Sequence, residues 1–136
     1  MIFIDSNVLI DLIEGDGSWS GWSRRVVADV ELDMPLAASV VVLAETSGHF
    51  KTLDDQLRYL DRVNVGVRDL TPPAARRAGR AHSAYRRAGG SRVGVLADFL
   101  IGGHAAALGA TLLTRDRQRF SAYFPDLTLI TPETHP

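Results

Sequence analysis

The sequence predicts an α/β domain, a mostly parallel sheet covered by helices on both faces. Two observations predict it. Short continuous apolar runs such as "IFI" (Ile2 to Ile4) alternate with longer segments of helical periodicity, as expected when buried parallel strands are joined by crossover helices. The length, 136 residues, fits one domain spanning 1–136 and is enough to bury a core.

In chain order, "IFI" is the first strand, and Ser6 or Asn7 can cap the helix that follows, through about Glu14. "GDGSWSG" reads as a loop with Ser18 or Ser20 as the next cap; Trp22, Val26 and Val30 keep four-residue spacing, which predicts a helix to about Glu31. Trp19 and Trp22 read as packing residues. "MPLAA" is a second strand, and Ser39 caps "VVVLAETSGHF", whose β-branched start leaves the strand–helix boundary open. Thr52 with Asp55 resembles a capping box ahead of the amphipathic Leu53, Leu57, Leu60, Val63 series. "NVGVRDL" alternates weakly, as a third strand. Thr71-Pro72 starts a helix that stops at Gly89-Gly90, and "VLADFLIGGHAAAL" is a helix closed by Gly109. "ATLLT" and "LTLIT" (Leu127 to Thr131) complete the strands.

The chain has no cysteine, which excludes disulfides, thiolate zinc sites and cysteine nucleophiles. Its start lacks the basic and long apolar regions of a signal peptide, and no apolar run is long enough to span a membrane. A cytoplasmic protein is expected. The net charge of −1 conceals an asymmetry: residues 1–69 hold twelve acids against six basic residues, residues 70–136 four acids against nine arginines. Six arginines and no acid fall between Leu70 and Ala97. Such a block is either a solvated helix face or a phosphate-binding surface.

Ligands of an open parallel sheet bind beyond the carboxyl ends of its strands. Asp5 follows "IFI" and Asp116 follows "TLLT"; Asp98 falls in the first turn of its helix and Glu45 two turns into the helix after the second strand. Each alone reads as a cap. Together they read as a cluster, because Asp98 and Glu45 stand in apolar segments with no lysine near, and a buried unpaired carboxylate is costly. Carboxylates that face one another call for a divalent cation, and an oxygen-only set suits Mg²⁺, with Mn²⁺ as a substitute. His49, one turn after Glu45, reads as a helix-end histidine; His104 should point to a different face from Asp98; His82 lies in the arginine helix and His135 in the tail. This is no three-histidine zinc site.

The succession "IDSNVLIDL", "VLAE", "LADFLIGGHA", "LLTRD" and "YFPDLTLITP" resembles the PIN-domain ribonucleases over essentially the whole chain, and more narrowly the VapC toxins of prokaryotic toxin–antitoxin pairs. The resemblance implies a three-layer PIN-like fold around a five-stranded sheet. It also implies Mg²⁺-dependent RNA cleavage, a VapB-like antitoxin that alone contacts operator DNA, and a homodimer. Carried over, Asp5, Glu45, Asp98 and Asp116 match the acidic set, Thr114 the hydroxyl residue before the last acid, and Asn7 the polar residue near the first. Asp5 and Asp98 would hold the ion directly, Glu45 and Asp116 through water or a second ion. Arg86, Arg87, Arg115 and Arg117, with Arg119, would hold RNA phosphates, unless those flanking Asp116 only soften the carboxylate repulsion. Gly102 and Gly103 stand where many relatives have alanine, which would allow closer helix packing. Two rivals are a non-catalytic module that docks a partner on its acidic pocket, and a phosphatase or receiver domain with a nucleophilic Asp5. The single lysine, Lys51, disfavours the latter.

Overall fold

The computed structural model describes residues 1–92 and 95–136. Its strands are β1 (Ile2–Ile4), β2 (Leu36–Ser39), β3 (Val65–Arg68), β4 (Thr111–Leu113) and β5 (Leu129–Ile130). The helices are α1 (Ser6–Glu14), α2 (Ser20–Val30), α3 (Val40–Thr46), α4 (Leu53–Arg62), α5 (Pro72–Arg87), α6 (Leu96–Ala107) and α7 (Arg117–Tyr123). The strands lie in the order β3-β2-β1-β4-β5, every neighbouring pair parallel.

Central β1 is buried throughout, with Phe3 in register with Ala37 on one side and Leu112 on the other. The chain moves outward from β1 to β3 and then crosses back to β4 on the far side of β1. Right-handed crossovers therefore put α1–α4 on one face of the sheet and α5–α7 on the other. They also leave a topological switch point between β1 and β4, where open parallel sheets form a crevice at the strands' carboxyl ends. Phe3, Ile4, Leu112 and Leu113 from the strands and Phe99, Phe120 and Phe124 from the helices fill the core.

Helix α5 lies directly on α6. A Cβ on Gly103 would stand 2.6 Å from the backbone nitrogen of Ala78, and one on Gly102 would stand 2.6 Å from the ring of Phe124. Both distances are too short for a real side chain, so the glycine pair does allow the close packing the sequence implies.

Several local expectations are corrected. The cap of α1 is Asp5 itself, whose carboxylate accepts the Ser6 N–H; Ser6 and Asn7 turn their side chains elsewhere. Helix α2 has no side-chain cap: Ser20 begins the helix, and its hydroxyl donates to the Asp11 carbonyl at 2.7 Å. Ser39 caps α3 as expected, accepting the Val41 N–H, and the boundary left open falls at once after it: the β-branched Val40–Val42 stretch is helical. Strand β5 is shorter than Leu127–Thr131. The spacing gave no sign of α7, which Asp116 caps by accepting the Arg119 N–H at 3.3 Å. Thr52 caps α4 as expected, accepting from Asp55 N–H at 3.1 Å. Among the described residues no helix is long and apolar enough to cross a membrane.

Candidate active site at the switch point

Asp5 ends β1 and is 97% shielded from solvent. Its backbone N–H extends the β1–β4 ladder by donating to the Leu113 carbonyl at 2.9 Å, which fixes it beside the end of β4. One carboxylate oxygen accepts the Ser6 N–H at 2.8 Å, the other the Thr114 hydroxyl at 2.6 Å. Thr114 Oγ1 in turn accepts the Asp116 N–H at 3.0 Å. The hydroxyl two residues before the last acid thus ties the end of β4 to the end of β1. Asn7 does similar work on the backbone, its Oδ1 accepting the Arg115 N–H at 3.3 Å.

Glu45 and Asp98 close on this pair from the neighbouring helices. Ser6 Oγ donates to Glu45 Oε1 at 2.6 Å. Sequence context placed Glu45 among apolar residues, but α3 buries Val42 and Thr46 and turns Glu45 outward, so the carboxylate is solvent-exposed. Asp98, in the first turn of α6, is half-buried. The guanidinium of Arg119 contacts Asp98 through Nη1, and the same nitrogen stands 3.3 Å from Asp116.

The electrostatics follow from this crowding. Burial pushes the Asp5 carboxyl up to about 6, against its two hydrogen bonds, and the nearby charges of Asp98 and Glu45 push the same way. Asp98 is also raised, by burial first, with Glu45 and Asp116 adding to it and Arg119 opposing. Asp5, Glu45, Asp98 and Asp116 are therefore neighbours around one crevice, linked through Ser6, Thr114 and Arg119. Among the described residues no three of them close on a single point as a ready-made cation cage. The donor set is nonetheless all oxygen, mutually repelling and already partly offset by one cationic side chain, which is the chemistry that suits a hard divalent ion.

Other predicted residues have different surroundings. Arg115 is engaged within the protein: its Nε and Nη2 donate to Asp11 at 3.0 and 3.2 Å, and its guanidinium lies 5.5 Å from the centroid of the Trp19 ring. Asp11 is buried and needs that partner. Arg119 likewise serves the acids, the second of the two roles open to the arginines flanking Asp116. Arg86, Arg87 and Arg117 are exposed. His49 stands 3.6 Å from Glu14, away from the acids, as a helix-end residue. His104 does face away from Asp98; it is fully buried, with Nδ1 2.9 Å from Ser39 Oγ, and burial lowers its pKa. Reasoning from sequence missed Ser6 as the partner of Glu45, since a hydroxyl at a helix start reads as a cap. It also missed Asp11, which had no signal apart from its place in the apolar run "LIDLI".

The PIN domain family matches residues 2–123. Ribonuclease VapC10 of Mycobacterium tuberculosis is 32% identical over 123 residues, covering 90% of this chain and 88% of that protein. Among solved structures, the crystal structure of VapBC2 from Rickettsia felis bound to a DNA fragment from their promoter contains a chain with TM-score 0.74 and 22% identity, covering 96% of this chain and 98% of that one. VapBC-1 from nontypeable Haemophilus influenzae gives TM-score 0.72 at 19% identity, covering 96% and 98%. At these identities the structures share the fold, and the sequence matches carry the kinship. With a five-stranded parallel sheet and four acids at its switch point, the chain belongs to the PIN-domain family and, within it, to the family of the VapC ribonucleases.

Proposed function

We propose that the protein is a Mg²⁺-dependent endoribonuclease, the toxin of a toxin–antitoxin pair, acting in the cytoplasm to block translation and growth. The observation that carries this reading is the acid cluster itself: buried Asp5, with its carboxyl raised to about 6, faces Glu45 and Asp98 and is wired through Thr114 to Asp116. No fold needs four acids in one crevice for its stability, and their mutual repulsion works against it.

Asp5 and Asp98 would hold Mg²⁺ directly, with Mn²⁺ able to replace it, and Glu45 and Asp116 would act through water or a second ion. A bound divalent ion supplies a water of lowered pKa and offsets charge on the phosphate oxygens. The remaining work belongs to the chain. Thr114 and the Ser6 N–H hold the Asp5 carboxylate in one orientation. Ser6 Oγ does the same for Glu45, and Asn7 steadies the turn into Asp116. Arg119 keeps Asp98 and Asp116 together. Exposed Arg86, Arg87 and Arg117 would hold RNA phosphates.

A VapB-like antitoxin is the expected partner, with operator DNA reached only through it, because the structures of similar fold include VapBC complexes, one of them bound to promoter DNA. A homodimer is the expected assembly. The test is purified, antitoxin-free protein incubated with RNA. It should cleave with Mg²⁺ or Mn²⁺, stop in EDTA, and lose at least ~100-fold in rate as Asp98→Asn, the scale of removing one group that stabilises charge in the transition state. Cleavage unaffected by EDTA or by Asp98→Asn would overturn the metal mechanism. A folded protein that cuts no RNA under any of these conditions would instead favour the partner-docking module.

A further inference from the structure

A cavity of about 300 Å³ opens between the end of α5 and the start of α6, and none of the chemistry above uses it. His82, Tyr85, Arg86, Arg92 and Leu96 contribute to its wall, and no carboxylate does among the described residues. Its volume lies at the lower end of the ~300–1,000 Å³ typical of small-molecule sites. Its position ties it to the acids. Leu96 is the first residue of α6, and Asp98 lies in the same turn. The charge of Arg92 reaches Asp98 and helps to hold down its pKa.

The wall is built to keep its shape. The rings of His82 and Tyr85 lie 25° from parallel, with centroids 6.3 Å apart, and Phe99 backs both at 5.3 and 5.4 Å. The chain then folds back over Tyr85. Gly90 N–H donates to the Tyr85 carbonyl at 3.0 Å, and Arg92 N–H donates to the Tyr85 hydroxyl at 3.2 Å. A Cβ on Gly90 would collide with the Tyr85 ring, so a side chain there would push the ring out of its place. Around this half-buried aromatic wall stand two exposed guanidinium groups, Arg86 and Arg92.

We infer that the cavity takes the base of a nucleotide adjacent to the cleaved phosphate, setting it against the His82 ring beside Tyr85 while Arg86 and Arg92 hold the flanking phosphates. Aromatic faces stack on any base, and arginine forks bind phosphate oxygens. The base has to be unpaired to enter, so the substrate is single-stranded at that position. The inference rests on the ribonuclease reading and adds a second contact point to it, one that fixes which phosphate meets the acids.

The experiment uses the full chain and a short single-stranded RNA containing a mapped cleavage site. In separate substrates one base at a time is removed around that site, leaving the sugar and phosphate in place. The intact protein should lose roughly tenfold in kcat/KM at one flanking position, the scale of one lost stacking contact. His82→Ala should cleave the intact RNA roughly tenfold more poorly and be indifferent to loss of that same base, whereas His82→Phe should restore the sensitivity. Arg86→Gln, an exposed position on the cavity's rim, should weaken binding of RNA to the inactive Asp98→Asn protein and reduce its salt dependence. If the intact protein cleaves RNA but His82→Ala keeps the full penalty at every position, the base-site assignment is overturned, and an antitoxin side chain becomes the occupant to test. If the intact protein cleaves no RNA at all, the ribonuclease reading fails instead.

Discussion

Asp5 and Asp11 sit six residues apart in one apolar stretch, and both are buried, at 3% and 7% exposure. Their partners differ completely. Asp11 accepts two hydrogen bonds from the Arg115 guanidinium and a third from Ser23 Oγ at 2.6 Å, and Trp19 covers the arginine. Asp5 accepts only from a neutral N–H and a neutral hydroxyl, and the charges it faces are negative. Burial alone therefore says little about a carboxylate. One whose charge is matched holds the molecule together, and one whose charge is left unmatched is kept for something else.

The largest expected effect separates the two directly. Asp11→Ala strips Arg115 and Ser23 of their partner and should cost about 3 kcal/mol in urea unfolding, the low end for a broken buried pair because Arg115 keeps some contact with water. Asp5→Asn, measured alongside without divalent ions, should cost less than about 1 kcal/mol, since the amide keeps the shape and removes the repulsion. A greater loss for Asp5→Asn than for Asp11→Ala would break the comparison.

The next effect is a pH dependence. In the unfolded chain Asp5 titrates near its ordinary value of 3.8, and in the folded protein near about 6. Between those values the folded state holds the extra proton, so metal-free stability is highest below the lower pKa and falls as pH rises toward the upper one. The difference corresponds to about 3 kcal/mol at most. In EDTA, the wild-type Tm should rise on acidification from pH 7 to 5, and Asp5→Asn should flatten that rise. Equal slopes in the two proteins would mean that Asp5 carries no raised pKa.

The smallest effect sharpens the same contrast on the cationic side. Arg119→Gln should cost about 1 kcal/mol without divalent ions, because its contacts are partly solvated, and added Mg²⁺ should recover the loss by mass action. Arg115→Gln should cost more and recover nothing, since Asp11 is no part of the acid cluster. Identical responses of the two variants to Mg²⁺ would erase the distinction between the two arginines.

Much of this was legible in the sequence. Strands such as β1 and β4 could be read because buried parallel strands are apolar without interruption, β3 only from weak alternation, and the four acids could be read because they follow apolar runs and recur in family order. What stayed hidden depends on tertiary placement. Helix α7 buries only Phe120 among its seven residues, which leaves no periodicity to detect. Glu45 looked buried from its neighbours, yet the rotation of one helix decides which way it faces. Arg115, Arg117 and Arg119 look alike around Asp116, and only the folded chain gives one to Asp11, one to solvent and one to the acids.

The central strand of the sheet is the first one made and among the last to gain both neighbours. Thr114 is 109 residues beyond the Asp5 it supports, and a ribosome adding ~5–20 residues per second covers that distance in roughly 5–20 s. Until then β1 has β2 on one side and nothing on the other, and Asp5 has neither its hydroxyl partner nor Asp116. No shortened product of this chain that ends before β4 can assemble the crevice. Synthesis order thus delays the pairing of Asp5 with Thr114 and Asp116 until β4 has been made.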